Sequence, residues 1–119
     1  MDLATVVDFT LKPSERKLIP TGISVAIDTG KVGLIYIRSS LGYKKGLSLP
    51  NCVGVIDSDY RGEIFVACVN IGTEDISIAK GERIAQLVVM PYSHENIIVE
   101  ESLEDTDRGA GGFGSTGKH

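Results

Sequence analysis

Val53-Gly-Val-Ile-Asp-Ser-Asp-Tyr-Arg-Gly-Glu-Ile-Phe-Val-Ala-Cys-Val69 holds two short apolar runs on either side of an acidic turn closed by glycine. Both runs have the length and β-branched content of strands, and from Asn51 onward the stretch reads as a hairpin in which Gly62 leads into the second strand. The same pattern continues in both directions. Ile23-Ser-Val-Ala-Ile27 alternates, Val32-Gly-Leu-Ile-Tyr-Ile37 is nearly continuous, and Ile76-Ser-Ile78, Ile84-Ala-Gln-Leu-Val-Val89 and Ile97-Ile-Val99 follow. Turn formers separate them, at Pro20-Thr-Gly22, Thr29-Gly30, Gly42 to Gly46, Pro50-Asn51, Asn70-Ile-Gly72, Lys80-Gly81 and Pro91. Only Ser39 to Lys45 could hold a helical turn. Many short strands at this spacing predict an all-β barrel, sandwich or jelly roll.

The chain has 119 residues, enough for one domain with a real core. Of its 14 glycines, Gly109, Gly111, Gly112, Gly114 and Gly117 fall in the last eleven residues, so the excess belongs to one segment. After Glu101 the hydrophobic period is lost and the chain turns acidic, then Gly-rich. Residues 1–101 are therefore expected to form the core and 102–119 a flexible arm. Net charge is −4, but six acids lie between Glu95 and Asp107 with no Lys or Arg, leaving twelve bases against ten acids elsewhere. Without a basic stripe, nucleic acid is a poor partner, whereas a small anion remains open. No apolar run approaches the roughly 18 residues of a membrane span and no signal pattern opens the chain, so a soluble, intracellular protein is expected. Cys52 and Cys68 sit in apolar runs without zinc-ligand spacing and read as buried, reduced thiols; His94 and His119 form no metal set.

The chemistry gathers at the joints between strands. Arg38-Ser39-Ser40 offers a guanidinium beside two small hydroxyls, which suits an anion; taken alone the tripeptide reads more readily as a solvated surface turn. Asp57 follows an apolar strand directly, so its carboxylate is expected at a partly shielded rim where a general base can be tuned. Asp59 reads as a solvated turn acid. Tyr60 is an aromatic where a plain turn would favour Asn or Gly, and Asn51 carries the donor and acceptor a pyrimidine edge would need. Gln86 interrupts an apolar strand and either faces outward or touches a ligand at a subunit seam. Arg108-Gly-Ala-Gly-Gly-Phe113-Gly-Ser115-Thr116-Gly117 could wrap a polyphosphate with bare backbone N–H groups and hydroxyls, with Phe113 stacking on a flat ring.

Taken together, these residues resemble the trimeric dUTPase family over essentially the whole chain. Arg38-Ser-Ser-Leu41 is similar to its second motif, Gly54-Val-Ile-Asp-Ser-Asp-Tyr-Arg-Gly62 to its third, Gly81-Glu-Arg-Ile-Ala-Gln86 to its fourth and Arg108 to Gly117 to its fifth. Asp2-Leu3 resembles the end of the first motif, usually Gly-Tyr-Asp-Leu preceded by a further segment, with Met1 where the aromatic would be. Ser40 stands where many members have Gly. The resemblance implies a jelly-roll-like (β-clip) barrel and a dUTP diphosphatase that hydrolyses dUTP to dUMP and pyrophosphate. Asp57 would then activate a water against the α-phosphorus, while Mg²⁺ bridges the phosphates through waters, some on Asp2. Arg38, Ser39, Ser40 and Gln86 would clamp phosphate oxygens. Asn51, the backbone of Gly54, Val55, Ile56 and Asp57, and the backbone near Phe65 would read uracil. The Tyr60 ring would exclude a ribose hydroxyl. The arm would close as a lid, with Phe113 on uracil and Arg108, Gly114, Ser115 and Thr116 on phosphate. Motifs from three chains would build each site, making a homotrimer the active unit.

Two other readings compete. A related dCTP deaminase works through a glutamate whose position, aligned on Gly62, is Ala67 here, which disfavours deamination. A catalytically silent or regulatory member of the fold would act through a protein partner; Asp57, Tyr60 and the complete last motif argue against silence.

Overall fold

The computed structural model describes residues 1–115 and 117. Its elements run β1 (Asp2–Ala4), β2 (Phe9–Leu11), β3 (Arg16–Pro20), β4 (Lys31–Ile37), α1 (Ser39–Lys45), β5 (Leu47–Ser48), β6 (Gly54–Ile56), β7 (Phe65–Asn70), β8 (Ile76–Ile78) and β9 (Arg83–Pro91). The strands form three antiparallel sheets, ordered β1-β9-β4-β6, β2-β8 and β3-β7-β5, with no closed barrel among the described residues. The fold is all-β with one short helix, as expected, and packed sheets replace the barrel.

Side-chain alternation explains how the sheets meet. In β2 and β8 the outer residues of each triplet are buried and the middle one exposed, while β7 buries Val66, Cys68 and Asn70 in turn. Leu3, Leu11, Ile19, Leu47, Ile64, Val66 and Ile84 close into one core at 2% exposure or less. Two buried polar side chains are fully partnered. The Thr21 hydroxyl donates to the Ile64 carbonyl at 2.7 Å. Asn70 donates to the Leu11 and Glu74 carbonyls and accepts from the Gly72 N–H.

Several expectations need correction. The stretch 51–69 is not a hairpin: β6 pairs with β4, whereas β7 pairs with β3 and β5 in another sheet. The Ile64 peptide turns the chain away, because its N–H donates to Ile23 at 2.8 Å and its carbonyl accepts from Thr21. Ile23–Ile27 packs on the core without a ladder, and Ile97–Val99 is exposed and unpaired in this chain. Pro91 ends β9 opposite Lys31 rather than making a turn. Strands β1, β2, β3 and β5 were not expected; β3 is a charged edge strand whose terminal Pro20 an edge tolerates. Cys68 is buried, and desolvation pushes its thiol up to about 12, but Cys52 is exposed. Cys52 lies in the turn before β6 with a left-handed φ of 65°.

Beyond Pro91 the chain leaves the sheets, and residues 92–110 are exposed throughout. The radius of gyration is 18.9 Å, where a compact chain of this length has about 13.5 Å. No helix among the described residues is long and apolar enough to cross a membrane.

Candidate active site

Asp57, Tyr60 and Phe65 come together. With Val55, Ile56, Glu63 and Ile64 they line a cleft of about 220 Å³ between the end of β6 and the start of β7. That is below the roughly 300 Å³ at which drug-sized ligands are held, so one chain offers room for a ring and not for a whole nucleotide. Two glycines shape the cleft. A Cβ on Gly54 would lie 3.0 Å from Ile35 Cβ, so the bare backbone lets β6 approach β4. A Cβ on Gly62 would lie 2.5 Å from Tyr60 Oη and 2.7 Å from Cζ, so the ring rests on the glycine backbone while its hydroxyl donates to the Glu63 carbonyl at 2.7 Å. Asn51 is exposed in the turn before β6, where its carbonyl accepts from Val53 N–H. Asp57 is exposed as well. The partial shield expected around its carboxylate is therefore not supplied by this chain, because the turn stands at the sheet edge.

A second cluster lies at the other end of the same sheet. Ile37 ends β4, and Arg38 and α1 follow directly, with Ser39 and Ser40 exposed in the first turn. Register places Asp2, Gln86 and Tyr36 in one row across β1, β9 and β4. Asp2 receives Arg83 Nη1 at 2.9 Å on one oxygen and Gln86 Nε2 at 3.4 Å on the other. The Gln86 hydrogen bond acts most strongly on the Asp2 carboxyl and, joined by Arg83 and the charge of Arg38, holds it below its ordinary 3.8 against burial, the second-largest influence, which pushes it up. Arg38 Nη1 donates to the Arg83 carbonyl at 3.4 Å. Arg83 is the member of this cluster that sequence reading left without a role; its place two residues past the turn glycine Gly81 and three before Gln86 was the available signal.

The two clusters do not meet. Ile56 pairs with Gly33, which sets Asp57 level with Val32, while Arg38 lies six residues further along β4. At about 3.3 Å per residue, this is about 20 Å. The arm joins neither. Arg108 Nε donates to the Gly111 carbonyl at 2.7 Å, and Gly109, Phe113, Gly114 and Gly117 take left-handed φ in successive tight turns. The Phe113 ring is fully exposed and Ser115 ends an exposed turn. Thr116 and His119 lie outside the described residues. A roomier groove of about 460 Å³ at the far end of α1 sets Lys44 and Lys45 against Glu74 and Asp75, so its charges oppose one another.

No group of three or more His, Cys, Asp or Glu side chains among the described residues could hold a metal. Mg²⁺, however, needs only one or two carboxylates when substrate phosphates and water complete its shell. Ionised Asp2, on the face that carries Arg38 and Gln86, fits that requirement.

The family model described as dUTPase matches residues 1–117. A deoxyuridine 5'-triphosphate nucleotidohydrolase of Nautilia profundicola is 51% identical over 117 residues, covering 98% of this chain and 82% of that protein. One of Azotobacter vinelandii is 48% identical, covering 94% of this chain and 75% of that protein. Among solved structures, the Staphylococcus bacteriophage 80alpha dUTPase with dUPNHPP superposes with a TM-score of 0.91 at 29% identity, over 98% of this chain and 85% of that one. The dUTPase from Streptococcus mutans gives 0.74 at 35% identity, over 80% and 79%. With its ring-sized cleft at one end of a sheet, its arginine and glutamine cluster at the other, and a dUTPase family match over residues 1–117, the chain belongs to the dUTPase family.

Proposed function

We propose that this chain hydrolyses dUTP to dUMP and pyrophosphate at sites completed by neighbouring copies of itself. Conversion of dUTP to dUMP is the family's reaction. The observation that carries the shared site is the roughly 20 Å between Asp57 and Arg38 along β4. A general base must come within hydrogen-bonding reach of the water it activates, and the phosphates that water attacks need a clamp close by. A second copy presenting its Arg38 end to this chain's Asp57 end satisfies both. The surface between the ends favours such contact: Val32, Leu34, Tyr36, Val55, Val88 and Met90 face outward on one sheet, and the last four are 39% to 58% exposed in the isolated chain. Repeating a head-to-tail contact closes a ring, here a homotrimer by resemblance.

Within that site Asp57 takes the proton from a water aligned on the α-phosphorus. Asn51 and the β6 backbone from Gly54 to Asp57, with the chain at Phe65, hold the uracil edge. Tyr60, braced on Gly62, closes the sugar side and leaves no space for a 2′ hydroxyl. Arg38, Ser39, Ser40 and Gln86 of a neighbour bind the phosphates, and the arm of a third copy covers the nucleotide with Phe113, Arg108, Gly114, Ser115 and Thr116. Mg²⁺ carried on the triphosphate would be held through water by Asp2 and would supply charge neutralisation at the phosphates. The decisive experiment measures pyrophosphate release from dUTP. Turnover abolished in an assembled Asp57→Ala variant is the expected result; no turnover by the folded wild-type protein overturns the reading.

A further inference from the structure

Arg83 stands beside the phosphate cluster without belonging to any contact described above for nucleotide. Its guanidinium is 60% exposed and meets the Asp2 carboxylate, itself 31% exposed. Its carbonyl, on the other side, accepts from Arg38. Among the described residues no carboxylate lies within 4 Å of Arg38, although its backbone N–H donates to the Ile84 carbonyl at 3.1 Å and its Nη1 to the Arg83 carbonyl, which brings its head to the segment of β9 that carries the Arg83–Asp2 pair. Arg83 thus stands between Asp2 and Arg38, and it alone of the two arginines is paired with the acid.

We propose that Arg83 is a positioning residue: by occupying Asp2 it keeps the Arg38 guanidinium free for the anionic end of the nucleotide. The inference rests on the dUTP reading for the identity of that anion. The physical reason is competition. A carboxylate near two guanidiniums pairs with the one held in register, and β9 fixes Arg83 opposite Ala4, diagonally across from Asp2. Without Arg83, Arg38, whose Nη1 already reaches the backbone carbonyl of residue 83, swings onto Asp2. The cluster then loses both its free fork and its net positive charge. Arg83 therefore acts through Asp2 and Arg38, and does not touch phosphate.

A double-mutant cycle on the full chain separates these roles. The probe is the nonhydrolysable imido analogue of dUTP, titrated with Mg²⁺ and again in chelator. Arg83→Gln should weaken binding about tenfold, and adding Asp2→Asn to it should restore affinity to within about threefold of Asp2→Asn alone, since Arg38 then has no acid to pair with. Additive losses would mean that Arg83 binds phosphate directly or only supports the strand, and would overturn the proposal. Arg83→Lys keeps a cation on Asp2 and should hold affinity within about threefold of wild type, whereas a loss as large as that of Arg83→Gln would also overturn the proposal. A wild-type protein that ignores the analogue overturns the dUTP reading, while the same cycle read with inorganic tripolyphosphate still decides the exchange.

Discussion

Gly62 sets how Tyr60 stands at the mouth of the cleft. Because a Cβ there would fall 2.5 Å from the phenol oxygen, Gly62→Ala must displace the ring or the turn. Shifts on the order of 1 Å near reacting groups cost roughly 100-fold. We expect kcat/KM for dUTP to fall about 10- to 100-fold, with discrimination against UTP reduced, in steady-state kinetics on both nucleotides. Unchanged constants would show that the ring is not braced there. The thiols give a second residue-scale outcome. Cys52 is exposed, whereas burial holds the Cys68 thiol near 12, so alkylation at pH 8 should label one thiol per native chain and two after denaturation. For stability, the raised Cys68 value means that burial of the neutral thiol contributes fully below its ordinary 9.0 and is lost as pH rises through about 12. Asp2 has the opposite sign. Its folded value is depressed, so its contribution is present above 3.8 and disappears as pH falls through the folded value. The small stability difference between wild type and Asp2→Asn should therefore hold from pH 7 to about 5 and shrink below 3.8 in thermal melts.

At the scale of elements, α1 shows how a short helix without a side-chain cap is held in place. Its end rests on Gly46, at φ 76°, whose N–H returns to the Gly42 carbonyl and whose own carbonyl accepts from Ile71. A Cβ on Gly46 would lie 2.8 Å from the Gly72 nitrogen, so helix and 71–72 turn touch backbone to backbone. Gly46→Ala combines left-handed strain with that clash and should cost about 2 kcal/mol, roughly 10 °C in melting temperature for a core of this size. A calorimetric scan showing no shift would place the helix support elsewhere. The seven-residue limits of α1 coincide with the one segment whose composition allowed a helical turn. The hairpin expected across residues 51–69 failed because local turn chemistry cannot report that Ile23 and Thr21, forty residues earlier, bind both sides of the Ile64 peptide. The first three strands escaped notice because two of them are three residues long and the third is charged along its exposed edge.

For the whole molecule, the separation of the two clusters makes a quantitative demand. If Asp57 of one copy works with Arg38 of the next, Asp57→Ala and Arg38→Ala chains should each be inactive alone. Co-assembled at equal amounts, random mixing in a closed ring regains roughly a quarter of wild-type sites. Sites built within single chains would regain none. Removing residues 108–119 should leave assembly by light scattering unchanged and lower turnover strongly, because residues 108–110 and 113–115 of the arm are exposed in this chain; an unchanged rate would refute its role as a cover.

The sequence by itself determined the class of fold, the helix at Ser39–Lys45 and the residue types at each joint. Those features follow from periodicity, turn propensity and local chemistry, which act over a few residues. Only the tertiary structure decided which strands pair, that Asp57 and Cys52 are exposed, that Asp57 and Arg38 stand at opposite ends of one sheet, and that Arg83 lies between Asp2 and Arg38. Such facts depend on register between strands as far apart in the chain as β1 and β9, where a difference of one residue sends every side chain to the other face.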